Sequence, residues 1–203
     1  KEVRENSIAA GIRKFAEIPT LFAQRTQPMD KDFIIVPRHS SATRRYVPFG
    51  FIRAGVVVND AVQIIPSASL YLFGVIISNV HMAWMRMVCG RIKSDYRYSK
   101  EVVYNNFPWP TPTEQQKQKI EQTAQAILDA RALYPDSSLA DLYDELTMPP
   151  ELRKAHHQND IAVMQAYGFT KGSEAYKSET ACVAELMKRY EHLCTQQQNT
   201  KEQ

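Results

Sequence analysis

No run of about 18 apolar residues occurs in this chain, so no segment can cross a bilayer as a helix. The longest apolar stretch, Leu70 to Val88, is interrupted by Ser78, Asn79, His81 and Arg86. Cysteine is scarce: Cys89, Cys182 and Cys194 are odd in number and far apart. That excludes a disulfide framework and suits a reducing cytoplasm. No pair of Cys or His shows zinc-finger spacing, and the adjacent His156 and His157 would leave a helix on different faces, so no metal site is expected. Lys1–Lys14 is amphipathic and charged rather than a signal peptide, and without an initiator Met the chain reads as starting inside a longer polypeptide.

Catalytic signatures are missing too. There is no glycine-rich phosphate loop, no GxSxG elbow, no HExxH and no GxGxxG. The Asn-Pro-Pro-aromatic stretch of an adenine methyltransferase is absent; the one Pro-Pro follows Met148 and starts a helix. Glu151-Leu152-Arg153-Lys154 does not reproduce the Glu-x-Lys pattern of a restriction-type nuclease. No catalytic centre is therefore expected in these residues.

The 203 residues, 44% hydrophobic and 23% charged, suffice for one large or two small globular domains. The net charge of +3 hides an asymmetry. Residues 1–110 carry 15 Lys and Arg against 8 Asp and Glu, and the remainder 10 against 14. A basic half joined to an acidic half suggests that the first half meets a polyanion.

Hydrophobic spacing organises the chain. Ile8, Ile12 and Phe15 predict a helix over Val3–Phe15, and Pro19 and Pro28 bracket a short segment, Thr20–Thr26, leading out of it. Strands are predicted at Phe33–Val36, Arg45–Ile52, Val56–Val58 and Val62–Ile65, with turns at Gly55 and Asn59-Asp60. Leu70–Val88 predicts one or two helices weakened at Gly74 and Ser78-Asn79, with Gly90 as C-cap. Arg91–Ser99 is a polar loop or short hairpin. Past Pro108-Trp109-Pro110 the pattern is all helix, opened by a capping box at Thr111-Pro112-Thr113-Glu114. Helices follow near Asp136, from Pro149-Pro150 to Gly168, and from about Ser173. The expected fold is α+β: a small bent antiparallel sheet with helices over residues 1–110, then an all-helical domain over 111–203.

The basic half interleaves arginine with aromatics: Arg44-Arg45-Tyr46, Arg53, Trp84-Met85-Arg86, Arg91 and Tyr96-Arg97-Tyr98. Cations hold phosphates, whereas short-range polar groups read base edges. The plainer account, a solvated surface over an aromatic core, covers at least half of these residues, Trp84 and Phe107 above all. Loops mixing both charge signs carry more information. In an extended segment Lys93 and Asp95 would point the same way, the Lys toward guanine O6 and N7, the Asp toward cytosine N4. Arg38 and Asp60 offer the same chemistry if the sheet brings their loops together. Charged pairs at this spacing are also common on ordinary surfaces.

A longer pattern gives these pairs a context. His81-Met82-Ala83-Trp84, Gly90–Ser99 and above all Tyr104-Asn105-Asn106-Phe107-Pro108-Trp109-Pro110 resemble the C-terminal third of the MmeI-like (Type IIL) restriction–modification enzymes. So do Arg45-Tyr46-Val47-Pro48, Leu142-Tyr143-Asp144 and Met148–Leu152. The resemblance runs from about Ile8 to Tyr190. It implies a target-recognition domain followed by a helical segment, in a polypeptide whose upstream nuclease and adenine N6-methyltransferase domains use Mg2+ and S-adenosylmethionine. No cofactor is implied for these residues themselves; the implied partners are double-stranded DNA and the upstream methyltransferase domain. By position, Lys93 and Asp95 match one base-reading pair, and Arg38 and Asp60, with Ala61 beside them, match another; both would favour guanine on the strand bearing the target adenine. Arg44, Arg45, Arg53, Arg91 and Arg97 are the expected phosphate contacts, and the YNNFPWP stretch is expected to be structural. Two other readings stay open: a specificity module acting in trans, as in Type I systems, and a protein-interaction domain with no DNA role.

Overall fold

Apolar runs and their breakers decide where each element begins and ends in the computed structural model, which describes residues 1–20 and 27–201. Most of the predicted Thr20–Thr26 segment lies outside the described residues. The predicted N-terminal helix does not form as one piece. It is two single turns, α1 (Glu2–Glu5) and α2 (Ala10–Arg13), and Ile8 is fully exposed. Helices this short need an apolar face packed on something, and here only Ala16 nearby is buried.

Strand β1 (Phe33–Pro37) lies between β3 (Gly50–Ile52) and β4 (Val62–Ile65) in an antiparallel sheet, with Ile34 opposite Phe51 and Ile65. A second sheet places β2 (His39–Ser40) beside β6 (Asp95–Arg97), which pairs with β5 (Gly90–Ile92). The single bent sheet expected from the sequence is thus two three-stranded sheets. Of the predicted strand Arg45–Ile52 only the end pairs, and Val56–Val58 is not a strand; Val56 and Val57 are about half exposed and face no partner strand. Gly55, at φ 80°, supplies the predicted turn.

Leu70–Val88 forms two helices, α3 (Leu70–Ile76) and α4 (Asn79–Val88), parted at Ser78. The Ser78 hydroxyl donates to the Val75 carbonyl at 2.7 Å and caps α4 by accepting from the His81 amide. Gly74 is not a break. A Cβ there would lie 2.6 Å from Ile120 Cγ2, so glycine permits α3 to cross closely over α5 (Glu114–Ala132). Gly90 begins β5 and Cys89 is the C-cap. A π-helical turn, Lys100–Tyr104, leads into the proline-flanked tryptophan.

The capping box of α5 sits two residues later than predicted: Thr113 accepts from the Gln116 amide, and Gln116 Oε1 accepts from the Thr113 amide at 2.9 Å. Helices α6 (Leu139–Leu142), α7 (Pro150–Ala166), α8 (Glu174–Lys177) and α9 (Glu179–Lys201) complete the fold. The last predicted helix is split at Ser178, and Gly168 ends the turn after α7 at φ 77°. One continuous core joins both halves, from Ile34, Phe49 and Trp84 to Ile127, Leu152 and Leu186. The architecture is α+β, with small antiparallel sheets and helices first and helices alone after residue 111.

Candidate nucleic-acid interface

Arg38 is the joint between the two sheets. Its amide donates to the Ala61 carbonyl at 2.9 Å, extending the β1–β4 ladder, and its carbonyl accepts from the Tyr98 amide at 2.8 Å, extending the β2–β6 ladder. The loop holding Asp60 and Ala61 is therefore brought beside Arg38, and both are fixed to the strand that follows the Lys93–Asp95 segment. Arg38, Asp60, Ala61, Lys93 and Asp95 are all exposed. Among the described residues no salt bridge holds any of the four charged ones. Arg38 nevertheless lies close enough to Glu101 to help hold that carboxyl below its ordinary value, after the stronger effects of its own amide, Ser99 and Lys100.

Lys93 does not lie in an extended segment as expected. Lys93 and Ser94 are the two-residue reversal of the β5–β6 hairpin, between the paired Ile92 and Asp95. Such a tight turn requires a left-handed residue, and Lys93 takes it at φ 55°, the one positive φ of a non-glycine among the described residues. For a residue with a Cβ this costs on the order of 1 kcal/mol. The two side chains are presented by a turn and by the strand leaving it, not by one pleated edge.

Alternation along β6 sorts the hairpin's faces. Tyr96, 6% exposed, points inward beside Ser40, its partner on β2. Asp95 and Arg97 share the outer face with His39, which lies opposite Arg97. Asp95 is held there: its Oδ1 accepts from the Ala42 amide at 3.2 Å, in a turn where Ser41 and Thr43 hydroxyls are 2.9 Å apart. Sequence reasoning missed His39 and the Ala42 amide. Ala42 and Asp95 are 53 residues apart, and no local pattern announces a contact at that range.

The arginines divide into two sets. Arg53 and Arg97 are exposed, with no side-chain hydrogen bond or salt bridge among the described residues. Arg44 is half-buried and turns toward the helical half, where its guanidinium lies 3.5 Å from the Ala140 carbonyl. Arg45 stands 5.6 Å from the Tyr46 ring at the same seam. Arg91 is engaged within its own hairpin: Nη1 donates to the Ser94 carbonyl at 2.8 Å, and the guanidinium lies 4.5 Å from the centre of the Tyr96 ring.

Behind this surface a polar cluster closes the seam. Tyr46 Oη donates to Asp160 Oδ2, and the Asn79 amide to Asp160 Oδ1, both at 2.7 Å. Burial pushes the Asp160 carboxyl up to about 6, against these hydrogen bonds. His81, fully buried, shares a 3.0 Å hydrogen bond with Tyr98 and is pushed down to about 3 by loss of water. His156 stacks on Tyr46 at 4.1 Å and is likewise held well below its ordinary value by burial. The YNNFPWP stretch packs into the same region: Phe107 is 2% exposed and meets His81 edge-on at 4.5 Å, while the Pro108 carbonyl accepts from Tyr167 Oη at 2.8 Å. Among the described residues no group of three or more His, Cys, Asp or Glu could hold a metal ion, and no helix is long and apolar enough to cross a membrane.

Comparison with known proteins agrees with this architecture. Residues 1–111 match the family model described as MmeI, target recognition domain, and residues 112–197 that described as MmeI, C-terminal domain. The chain is 36% identical over 193 residues to DNA methyltransferase A of Bacillus subtilis (strain 168), covering 95% of this chain and 21% of that protein. It thus spans about a fifth of the length of that curated relative. A solved structure of the Type IIL restriction–modification enzyme MmeI in complex with DNA superposes with a TM-score of 0.86 at 44% identity, over 96% of this chain and 25% of the enzyme.

Proposed function

Because the chain belongs to the MmeI target-recognition-domain family, we propose that it reads double-stranded DNA on behalf of a DNA-modifying enzyme of which it forms part. In this reading the exposed hairpin face enters the major groove. Lys93 donates to guanine O6 and N7, and Asp95 accepts from the cytosine amino group. Arg38 and Asp60, beside Ala61, address a second base pair. Arg53 and Arg97, whose guanidiniums are uncommitted among the described residues, take phosphate contacts first; Arg44, Arg45 and Arg91 already have partners within the protein. The target adenine is presented to an upstream methyltransferase domain of the same polypeptide, which flips it out and methylates N6 with S-adenosylmethionine, Mg2+ serving the nuclease. Those domains lie outside these residues, and their setting is the cytoplasm.

The observation that carries this reading is the double role of the Arg38 main chain. It joins two sheets whose turns present two opposite-charge pairs, so both pairs ride on one rigid support. Rigid placement matters because base discrimination depends on short, directed hydrogen bonds.

Charge exchange tests it. In the full-length polypeptide, Lys93→Glu with Asp95→Arg should change the preferred base pair at a single position of the site selected from randomised duplex DNA. A good bidentate contact discriminates by about 1–3 kcal/mol, so the change should be roughly five- to 150-fold. An unaltered preference would remove the pair from the recognition surface.

A further inference from the structure

Arg91 is exposed and basic and stands two residues before Lys93, so composition alone would place it with the phosphate contacts. Its geometry differs from that of Arg53 and Arg97. It lies opposite Tyr96 in the hairpin ladder, and alternation puts it on the Tyr96 face of the sheet, away from the face that bears Asp95 and Arg97. Its guanidinium covers the Tyr96 ring at 4.5 Å and reaches forward to the Ser94 carbonyl at 2.8 Å. That carbonyl belongs to the second residue of the reversal, directly after the left-handed Lys93.

We propose that Arg91 is a specificity-positioning residue, a clamp that holds the Lys93–Ser94 turn in the conformation from which Lys93 reads its base. The inference rests on the assignment of Lys93 and Asp95 as a reading pair. A lysine held at φ 55° relaxes readily to the negative-φ basins that residues with a Cβ prefer. Such a relaxation redirects the Cα–Cβ bond and carries the ammonium, at the end of a long side chain, away from its base. Two anchors oppose it, both on the C-terminal side of Lys93. Arg91 ties the Ser94 carbonyl to the buried Tyr96, and the Ala42 amide holds Asp95. Arginine suits the first task because a planar guanidinium can stack on a ring and donate in its own plane at once. The clamp needs no contact with DNA.

The test uses the full-length polypeptide, randomised duplex DNA and three variants: Arg91→Ala, Arg91→Lys, and the Lys93→Glu/Asp95→Arg exchange. The expected result is that the exchange switches one position of the selected site, and that Arg91→Ala flattens preference at that same position by about tenfold. Other positions and the salt dependence of binding stay as they were. Arg91→Lys, which keeps a donor for Ser94 but not the planar group that stacks on Tyr96, should restore the preference only in part, and thermal melting should show that all variants fold. If Arg91→Ala instead weakens every sequence alike and lowers the salt slope by about one, Arg91 is a phosphate contact and the clamp is wrong. If the exchange switches the position but Arg91→Ala leaves it intact, the clamp alone fails. If the exchange changes nothing, the reading pair fails and the clamp with it.

Discussion

Arginine stands in two opposite situations in this molecule, and the contrast separates guanidiniums that hold the fold from those left open to a ligand. At the seam between the halves, Arg86 grips Glu179 with two bonds of 2.7 and 2.8 Å, and also donates to the Arg45 carbonyl and Asn79. Arg131 donates to the Phe49 carbonyl at 2.8 Å and to Tyr143 Oη, and lies over the Phe73 and Tyr143 rings. In the basic half Arg38, Arg53 and Arg97 remain exposed without such bonds among the described residues. A guanidinium that has satisfied its donors internally has little left for a ligand. One that stands uncommitted keeps its donors for a polyanion.

The comparison breaks most forcefully at the seam. Trp84 is 1% exposed, donates to the Val103 carbonyl at 3.0 Å and packs against Phe107 and Tyr190. Trp84→Ala should cost about 3–5 kcal/mol of stability, seen as a lowered denaturation midpoint, while the sequence preference of the folded fraction stays unchanged. A shifted preference without lost stability would show that Trp84 belongs to the reading surface.

Acid should loosen the seam. His81 and His156 are held neutral by burial, with folded values below the unfolded one. Their contribution is therefore present above about pH 6.5 and is lost as pH falls. Asp160, raised to about 6, acts in the opposite sense: its contribution is complete below its unfolded value and fades as pH rises toward neutrality. Two imidazoles against one carboxyl leave a net loss of stability between pH 6.5 and 5, of order 1 kcal/mol per pH unit. His81→Gln, which can still bond Tyr98, should flatten that slope in chemical denaturation; an unchanged slope would mean that the His81 ring takes up its proton without unfolding.

The smallest effect belongs to the free cations. Arg53→Ala should leave stability within about 0.5 kcal/mol of the parent, as expected for an exposed side chain with no hydrogen bond or ion pair among the described residues. It should weaken binding to all duplexes alike and lower the salt slope by about one. A base-specific loss would move Arg53 to the reading set.

Elements marked by a local signal are legible in the sequence: the apolar runs of β1 and β4, the apolar stripe of α5, and the Pro-Pro start and Gly168 end of α7 place them within a few residues of their predicted positions. Elements that depend on a distant partner are not. β2 is two residues long and exists only because β6 runs beside it. Val56–Val58 looks like a strand and is not, and the Val3–Phe15 pattern buries almost none of its apolar face among the described residues. The charged pairs are visible as residue types, but the left-handed geometry of Lys93 is not. A turn requiring a left-handed residue is normally signalled by Gly or Asn, and lysine gives no such signal.

By itself the sequence determined the division into a basic α+β half and an acidic helical half. Charge balance and hydrophobic period are properties of local composition. It also determined which residues could carry base-reading chemistry, since that depends on side-chain type. Tertiary structure alone decided which arginines are occupied and which lack a side-chain partner among the described residues, that Arg38 joins two sheets, and that Lys93 stands on a strained turn beside an arginine bound to Ser94 and Tyr96. Each of those facts is a contact or a backbone angle fixed by strand pairing, and pairing across 53 residues, as between Ala42 and Asp95, is settled only when the chain has folded.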